Sequence, residues 1–307
     1  MVTEIQFSET DDPIDIRYDN VFKAVFTRNT PASRGALSDL VSALIGKPVH
    51  VTTITANEPP VDDMRDRNIR FDISCKAETG EPVNIEMSLN PDPYEPIRLE
   101  YYAGKLFTGQ ELKGIDKNYK DLKETYQIAI LAKGRFFTDD VFHHTFQYYD
   151  AVQGIPLGGR SRIITVELSK VDAVADKPVP ELTDGELWAV YFRYLTDRSR
   201  RGTINKILKC EGGIAMASEV LMTISRDEVE RARLTSEFKY EMDLQSKIVT
   251  ARREGEQKGR REGEQKGRRE GEQKGLQEAA RNLKALNIPV DTISRSTGLS
   301  SEEIAKL

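Results

Sequence analysis

Apolar and polar residues alternate along two neighbouring stretches, 71–77 and 83–88, joined through Thr79-Gly80. In the first, Phe71, Ile73, Cys75 and Ala77 share one side, with Asp72, Ser74 and Lys76 on the other. In the second, Val83, Ile85 and Met87 oppose Asn84, Glu86 and Ser88. A period of two marks half-buried strands, and the Thr-Gly turn folds them into an antiparallel hairpin. A register centred on Thr79 sets Asp72 directly opposite Glu86; one centred on Gly80 makes them diagonal neighbours. Either way two carboxylates meet on the polar face. Two readings follow: a divalent-cation site, or a solvated face whose repulsion Lys76 softens.

Around the hairpin the period lengthens towards 3.6. Phe22, Val25 and Phe26 share one face of a short helix that Asp19 is placed to cap. A second helix is predicted from Ser33 to Ile45, with Leu37, Leu40, Val41 and Leu44 inward and Gly46 and Pro48 ending it. His50 to Thr55 reads as a strand that Glu58-Pro59-Pro60 breaks, and a charge-dense loop through Asp62, Asp63, Asp66 and Arg67 borders the site. After Pro91, Pro93 and Pro96 a helix from Ile97 to Gln110 sets Arg98, Tyr101 or Tyr102, and Lys105 on one face. That face is either a cationic clamp on the carboxylates or phosphate, or core tyrosines beside solvated cations. Tyr126 to Leu131 is apolar enough for a central strand, and two more follow at 145–149 and 162–168. Thr183 with Glu186 forms a capping box before Leu187, Trp188, Tyr191, Phe192 and Leu195, with Trp188 expected in the core. A further helical stretch runs from about Ala215 towards Ile248.

Residues 252–275 are three copies of RREGEQKG. A period of eight turns about 80° per copy and builds no apolar seam. Glu254 with Lys258 and Glu256 with Arg260 begin a series of five favourable i,i+4 pairs, together about 1 to 2.5 kcal/mol. Glycine at every fourth position costs about 1 kcal/mol each, so a flexible or fraying helical spacer is expected. Beyond it, Leu276 to Leu286, a segment capped by Asp291, and the capping box of Ser300 and Glu303 form a small helix-turn-helix-like tail. Its last helix carries only Lys306 as a cation, which favours an oligomerisation or partner-docking role over groove reading. The predicted organisation is therefore a core over 1–175, a helical segment over 176–251, the spacer, and the tail over 276–307.

Composition narrows the setting. The net charge is −5, divided between +3 over 252–307 and −8 before them, which does not favour strong nonspecific DNA affinity. Two cysteines, Cys75 and Cys210, suit a reducing cytoplasm, and no run of about 18 apolar residues suggests a membrane span. Three histidines, with His143 and His144 adjacent, lack the spacing of a zinc site.

Asp72 followed after a turn by Glu86-Met87-Ser88 resembles the D…(D/E)-x-K core of the PD-(D/E)XK nuclease superfamily. More narrowly, DNVFKAVF at 19–26, RFDI and VNIEM at the hairpin, RLEYYAGKLFTGQ after it, the glycine-punctuated repeat and TGLSSEEIAKL at the end resemble the Rpn recombination-promoting nucleases, also labelled transposases. The resemblance implies an α/β restriction-endonuclease-like core, a mixed sheet flanked by helices, with a helical C-terminal extension. It implies metal-dependent DNA hydrolysis: Asp72, Glu86 and the Met87 carbonyl holding Mg²⁺ (Mn²⁺ or Ca²⁺ as alternatives), and Asp19 as an additional acidic candidate. Ser88 stands where the superfamily has lysine and the narrower group commonly glutamine. Either Lys105 or Lys76 replaces the missing cation, or the protein is an inactive nuclease fold serving as a DNA-binding or scaffold protein. A protein that only oligomerises through its tail is the third expectation.

Overall fold

The computed structural model describes residues 5–54, 72–110, 112 and 118–307. Phe71, the Glu58-Pro59-Pro60 break and the loop through Asp62, Asp63, Asp66 and Arg67 lie outside the described residues. Two compact units make up the chain, Met1–Phe238 and Lys239–Leu307.

The first unit is built on a six-stranded mixed sheet, β1 (Val51–Ile54), β2 (Ile73–Ala77), β3 (Pro82–Ser88), β4 (Thr125–Leu131), β5 (His143–Phe146) and β6 (Ser161–Glu167), in the order β1-β2-β3-β4-β6-β5. β1 and β2 pair antiparallel, as do β2 and β3, and β5 and β6; β3, β4 and β6 run parallel. A mixed sheet flanked by helices is the α/β nuclease fold that the sequence implies.

One face of the sheet is apolar across its central strands. Ile73, Cys75, Val83, Ile85, Met87, Ile128, Ile130, Ile164 and Val166 lie on it, all buried. α1 (Asp19–Phe26) and α2 (Pro31–Ile45) pack against it, and α4 (Asp184–Tyr194), α5 (Arg201–Cys210) and α6 (Gly212–Arg226) join them in one continuous core. Sequence chemistry sets the ends of these helices. Thr30 caps α2 by accepting from the Ser33 N–H, and Gly46 closes it at φ 78°. Thr183 and Glu186 form the capping box that opens α4. Trp188 on α4 is fully buried and donates its Nε1–H to Asp39 at 2.7 Å. α6 crosses α2 closely because Gly213 lacks a side chain: a Cβ there would stand 2.1 Å from Asp39 Cγ.

The opposite face departs from a half-solvated hairpin. α3 (Glu95–Thr108) lies over it, packing Leu99 on Ala129 and Leu131 with Phe136 and Ile163 alongside. As a result Ser74, Asn84, Glu86, Gln127, Thr165 and Glu167 are all buried, and of the β2 residues only Lys76 is exposed. The alternation that reads as half-buried sides of a strand is therefore an alternation between an apolar core and a covered polar layer.

α7 (Glu228–Ala285) is continuous through the octapeptide repeat, unlike the fraying spacer the glycine cost predicts. Elongation from an existing helix on both sides avoids the nucleation penalty that an isolated segment would bear. The cation precedes the carboxylate in the pairs that form: Arg252 with Glu256, Lys258 with Glu262, Arg260 with Glu264, Lys266 with Glu270 and Arg268 with Glu272. Glu256, Glu262, Glu264 and Glu270 each have a cation four residues away on both sides, and exposed pairs differ too little in energy for sequence to choose between them. Within the second unit, α8 (Val290–Thr297) and α9 (Ser301–Lys306) enclose Ala280, Ile293, Leu299 and Ile304. Ser300 and Glu303 form the expected capping box; Asp291 does not cap α8, whose N-cap is Pro289. Among the described residues no helix is long and apolar enough to cross a membrane.

Candidate active site

The hairpin register decides how the two carboxylates meet. Ile73 pairs with Ile85 and Cys75 with Val83, a register centred on Thr79 that sets Asp72 directly opposite Glu86. Asp72 sits one residue before β2, where its Oδ2 accepts the Met87 N–H at 3.0 Å. The carboxylate thus closes the end of the ladder beside Glu86.

Each carboxylate has a cation from a different helix. Lys23 Nζ on α1 lies 3.0 Å from Asp72 Oδ1 and also donates to Asp19 Oδ2 at 3.0 Å. The apolar face of α1, carrying Val21, Phe22, Val25 and Phe26, is seated in the core, which holds Asp19 and Lys23 at the rim, one helical turn apart. Asp19 therefore joins the site through Lys23. It does not cap α1, whose N-cap is Tyr18 without a side-chain bond. Arg98 Nη2 on α3 lies 3.1 Å from Glu86 Oε2, and the same nitrogen donates to Glu95. Pro91, Pro93 and Pro96 in the connection, with Pro96 in the first turn of α3, orient this helix so that Arg98 points at the sheet. Its guanidinium also lies over the Tyr102 ring, 5.4 Å away.

The Glu86 side chain is only 3% exposed, and its neighbours satisfy it incompletely. Asn84 Nδ2 donates to Oε1 at 3.3 Å and to Gln127 Oε1 at 2.8 Å. Oε2 faces Arg98 but has no aligned hydrogen bond. Burial pushes the Glu86 carboxyl up to about 8, with Arg98 opposing the rise and Asp72 adding to it. Burial also raises Asp72, against the pull of Lys23. Burial by itself would lower Lys23 and Arg98, but the carboxylates beside them raise both above their ordinary values.

The other sequence candidates are placed as follows. Ser88 follows Glu86 on the same face, half-buried, at the C-terminal end of β3, and its carbonyl accepts the Ala132 N–H. Lys105 lies against the Tyr101 ring at 5.9 Å, and Lys76 is exposed on β2. The cation at Asp72 is Lys23. It stands inside the DNVFKAVF stretch, four residues after Asp19, and that spacing was the signal available for it. Asn84, Gln127 and Glu95 also belong to the site; nothing in the sequence pairs Asn84 with Gln127, since 43 residues separate them. His143 and His144 fall on the edge strand β5, with His144 Nε2 3.1 Å from Asp139. Among the described residues no group of three or more His, Cys, Asp or Glu side chains forms a ready-made metal cluster.

A family model described as a PD-(D/E)XK nuclease family transposase matches residues 16–251. The chain belongs to that family. The match spans the sheet, α1 to α6 and the start of α7, so the candidate residues described above fall inside it. No curated protein and no solved structure matches the chain.

Divalent metal ions are general to PD-(D/E)XK nucleases, and the donor set here can be tested against such an ion. A hard cation takes oxygen ligands from one or two carboxylates and completes its shell with water. Glu86 Oε2, buried without an aligned hydrogen bond, and Asp72 directly opposite suit that requirement. An extended residue directs its N–H and C=O to the same neighbouring strand, so the Met87 carbonyl faces the Asp72 edge as its N–H does. The residues fit the ion.

Proposed function

We propose that this protein is a metal-dependent endonuclease that hydrolyses DNA phosphodiester bonds. The observation that carries the proposal is the buried, incompletely satisfied Glu86 set directly opposite Asp72 at the open end of a hairpin. Asp72, Glu86 and the Met87 carbonyl would hold Mg²⁺, with Mn²⁺ or Ca²⁺ as alternatives. When bound, the ion lowers the pKa of a coordinated water and offsets charge on the phosphoryl oxygens.

The chain's own residues prepare this chemistry. Lys23 takes the electrostatic place that Ser88 leaves vacant: it opposes the rise that burial gives Asp72 and presents an ammonium where a scissile phosphate would approach. Asp19 anchors that ammonium from its own helix. Arg98 balances Glu86 while the ion is away. Its side chain is 41% exposed, so it can swing to a phosphate once Glu86 is taken by the metal. Asn84 and Gln127 fix the orientation of the Glu86 carboxylate from below.

A second reading is a nuclease fold that binds DNA or scaffolds a partner without cutting. One observation favours it: Ser88 brings no charge, and Lys23 and Arg98 already lie against the two carboxyl groups. Cleavage of supercoiled plasmid with Mg²⁺, Mn²⁺ and Ca²⁺ decides between them. Nicking by the wild type that Asp72→Ala and Glu86→Ala each abolish supports the nuclease. Cleavage absent from the wild type but present in Ser88→Lys supports the disarmed fold.

A further inference from the structure

Beside the carboxylates, between α3 and the β6-β5 edge of the sheet, lies a cleft of about 230 Å³ that the phosphodiester chemistry does not use. Phe136, Phe137, Phe146 and Tyr148 form its aromatic walls, with Leu99 and Ile163 at its base. Register places it: Glu86 pairs with Ala129, and Ala129 with Thr165, which lines the cleft. Thr165 is therefore two strand spacings from Glu86, about 9.5 Å, on the same face of the sheet. Its Oγ1 is buried without a partner.

The lining selects the ligand. Small-molecule sites usually run from about 300 to 1,000 Å³, so this cleft suits a single ring system more than an extended ligand. None of its lining residues is a lysine or arginine, while Glu95 and Glu100 both border it. A phosphate would be repelled there. A planar, neutral heterocycle would stack on the aromatic side chains and offer its amino groups to the carboxylates and its ring atoms to Thr165.

We propose that the cleft receives a nucleobase, unstacked from its neighbours, of the DNA strand whose phosphate lies at Asp72 and Glu86. This rests on the nuclease reading and narrows its substrate. A base inside a duplex can enter only if it is flipped out at the cost of unpairing, so single-stranded or distorted DNA is preferred over intact duplex.

The test is equilibrium binding of the full-length protein, without metal and with Ca²⁺. The probes are a fluorescent single-stranded 12-mer and an equally charged 12-mer of abasic spacers. Stacking of one base contributes roughly 5- to 150-fold in affinity, so the base-bearing strand is expected to bind at least about 5-fold more tightly. Phe146→Ala/Tyr148→Ala should erase that preference. The two rings are 38% and 54% exposed, so the variant should fold; if its thermal midpoint falls, Tyr148→Ala alone carries the comparison. Equal affinity for the two strands, no binding of either, or a preference that survives the substitutions overturns the cleft assignment. Failure of the nuclease reading is separate: it shows as absence of plasmid cleavage, which leaves the binding comparison in force. Cleavage with base-indifferent binding removes the cleft proposal alone.

Discussion

The two faces of the central sheet are both covered by helix and differ in chemistry. On one, Ile73, Ile85, Ile128 and Ile164 meet a continuous apolar core. On the other, Asn84, Glu86, Gln127, Thr165 and Glu167 are buried beneath α3. Burying polar groups is unfavourable unless they are hydrogen-bonded, and burying a charge more so. Glu167 shows how such a charge is made harmless. Its Oε1 accepts the Phe136 N–H at 2.6 Å, and Lys170, buried with it, lies 2.5 Å from Oε2. In both residues Oε2 faces a cation without an aligned hydrogen bond, but the Glu86 cation, Arg98, reaches in from another element and is 41% exposed, whereas Lys170 is three residues from Glu167 and buried. Where a buried carboxylate is balanced by a cation that can turn away to solvent, the residue is a better candidate for chemistry than one in a closed local pair.

The largest contrast should come from truncating neighbours on opposite faces. Ile85→Ala is expected to cost about 2 to 5 kcal/mol of stability in a denaturant titration. Glu86→Ala or Asp72→Ala should instead lower cleavage by about 10³-fold, the several kcal/mol a catalytic cation supplies, with a smaller loss of stability. Comparable stability losses at all three positions, with no selective loss of cleavage, would erase the distinction between the faces.

Lys23→Ala should reduce cleavage by about 10²-fold, as removal of one electrostatic donor does, and Lys23→Arg should restore part of it. If Lys105→Ala is the damaging change and Lys23→Ala is silent, the cation has been placed on the wrong helix.

A pH effect follows from burial. A cation binds the ionised carboxylate, so below about 8, the pKa of Glu86, Mn²⁺ affinity should rise about tenfold per pH unit and level off above it. Calorimetric titration from pH 6 to 9 measures this. The metal-free protein should change the other way. Glu86 keeps its proton to about 8 when folded and to about 4.5 when unfolded, so the folded state binds more protons between those values. Its contribution to stability falls as pH rises through that window. Affinity that is flat from pH 6 to 9 would return Glu86 to an ordinary carboxylate.

The smallest expected effect tests the polar layer itself. Asn84→Leu leaves both Gln127 and Glu86 without its amide donor and should cost about 1 to 3 kcal/mol, whereas adding Gln127→Leu should recover the part that belongs to Gln127. Chemical denaturation of the single and double variants reads the difference. A double variant less stable than the single one would mean that the layer holds the sheet together.

Local pattern along the chain was enough for the hairpin, the opposition of Asp72 to Glu86 within one register choice, the central strand β4 and the capping box of α4. Each depends on residues near one another along the chain: alternation, a turn, an apolar run, an oxygen three residues from a free N–H. Arg98, Tyr102 and Lys105 were legible as a helical face for the same reason. Only the tertiary structure decided that Arg98 meets Glu86 while Lys105 rests on Tyr101, because the sheet position under each turn of α3 depends on how that helix packs. It alone decided that the hairpin's polar face is covered, that Asn84 bonds Gln127, and that Lys23 is the cation at Asp72. The electrostatics of a buried site come from long-range packing, and local sequence period carries no record of which distant side chains share the low-dielectric space.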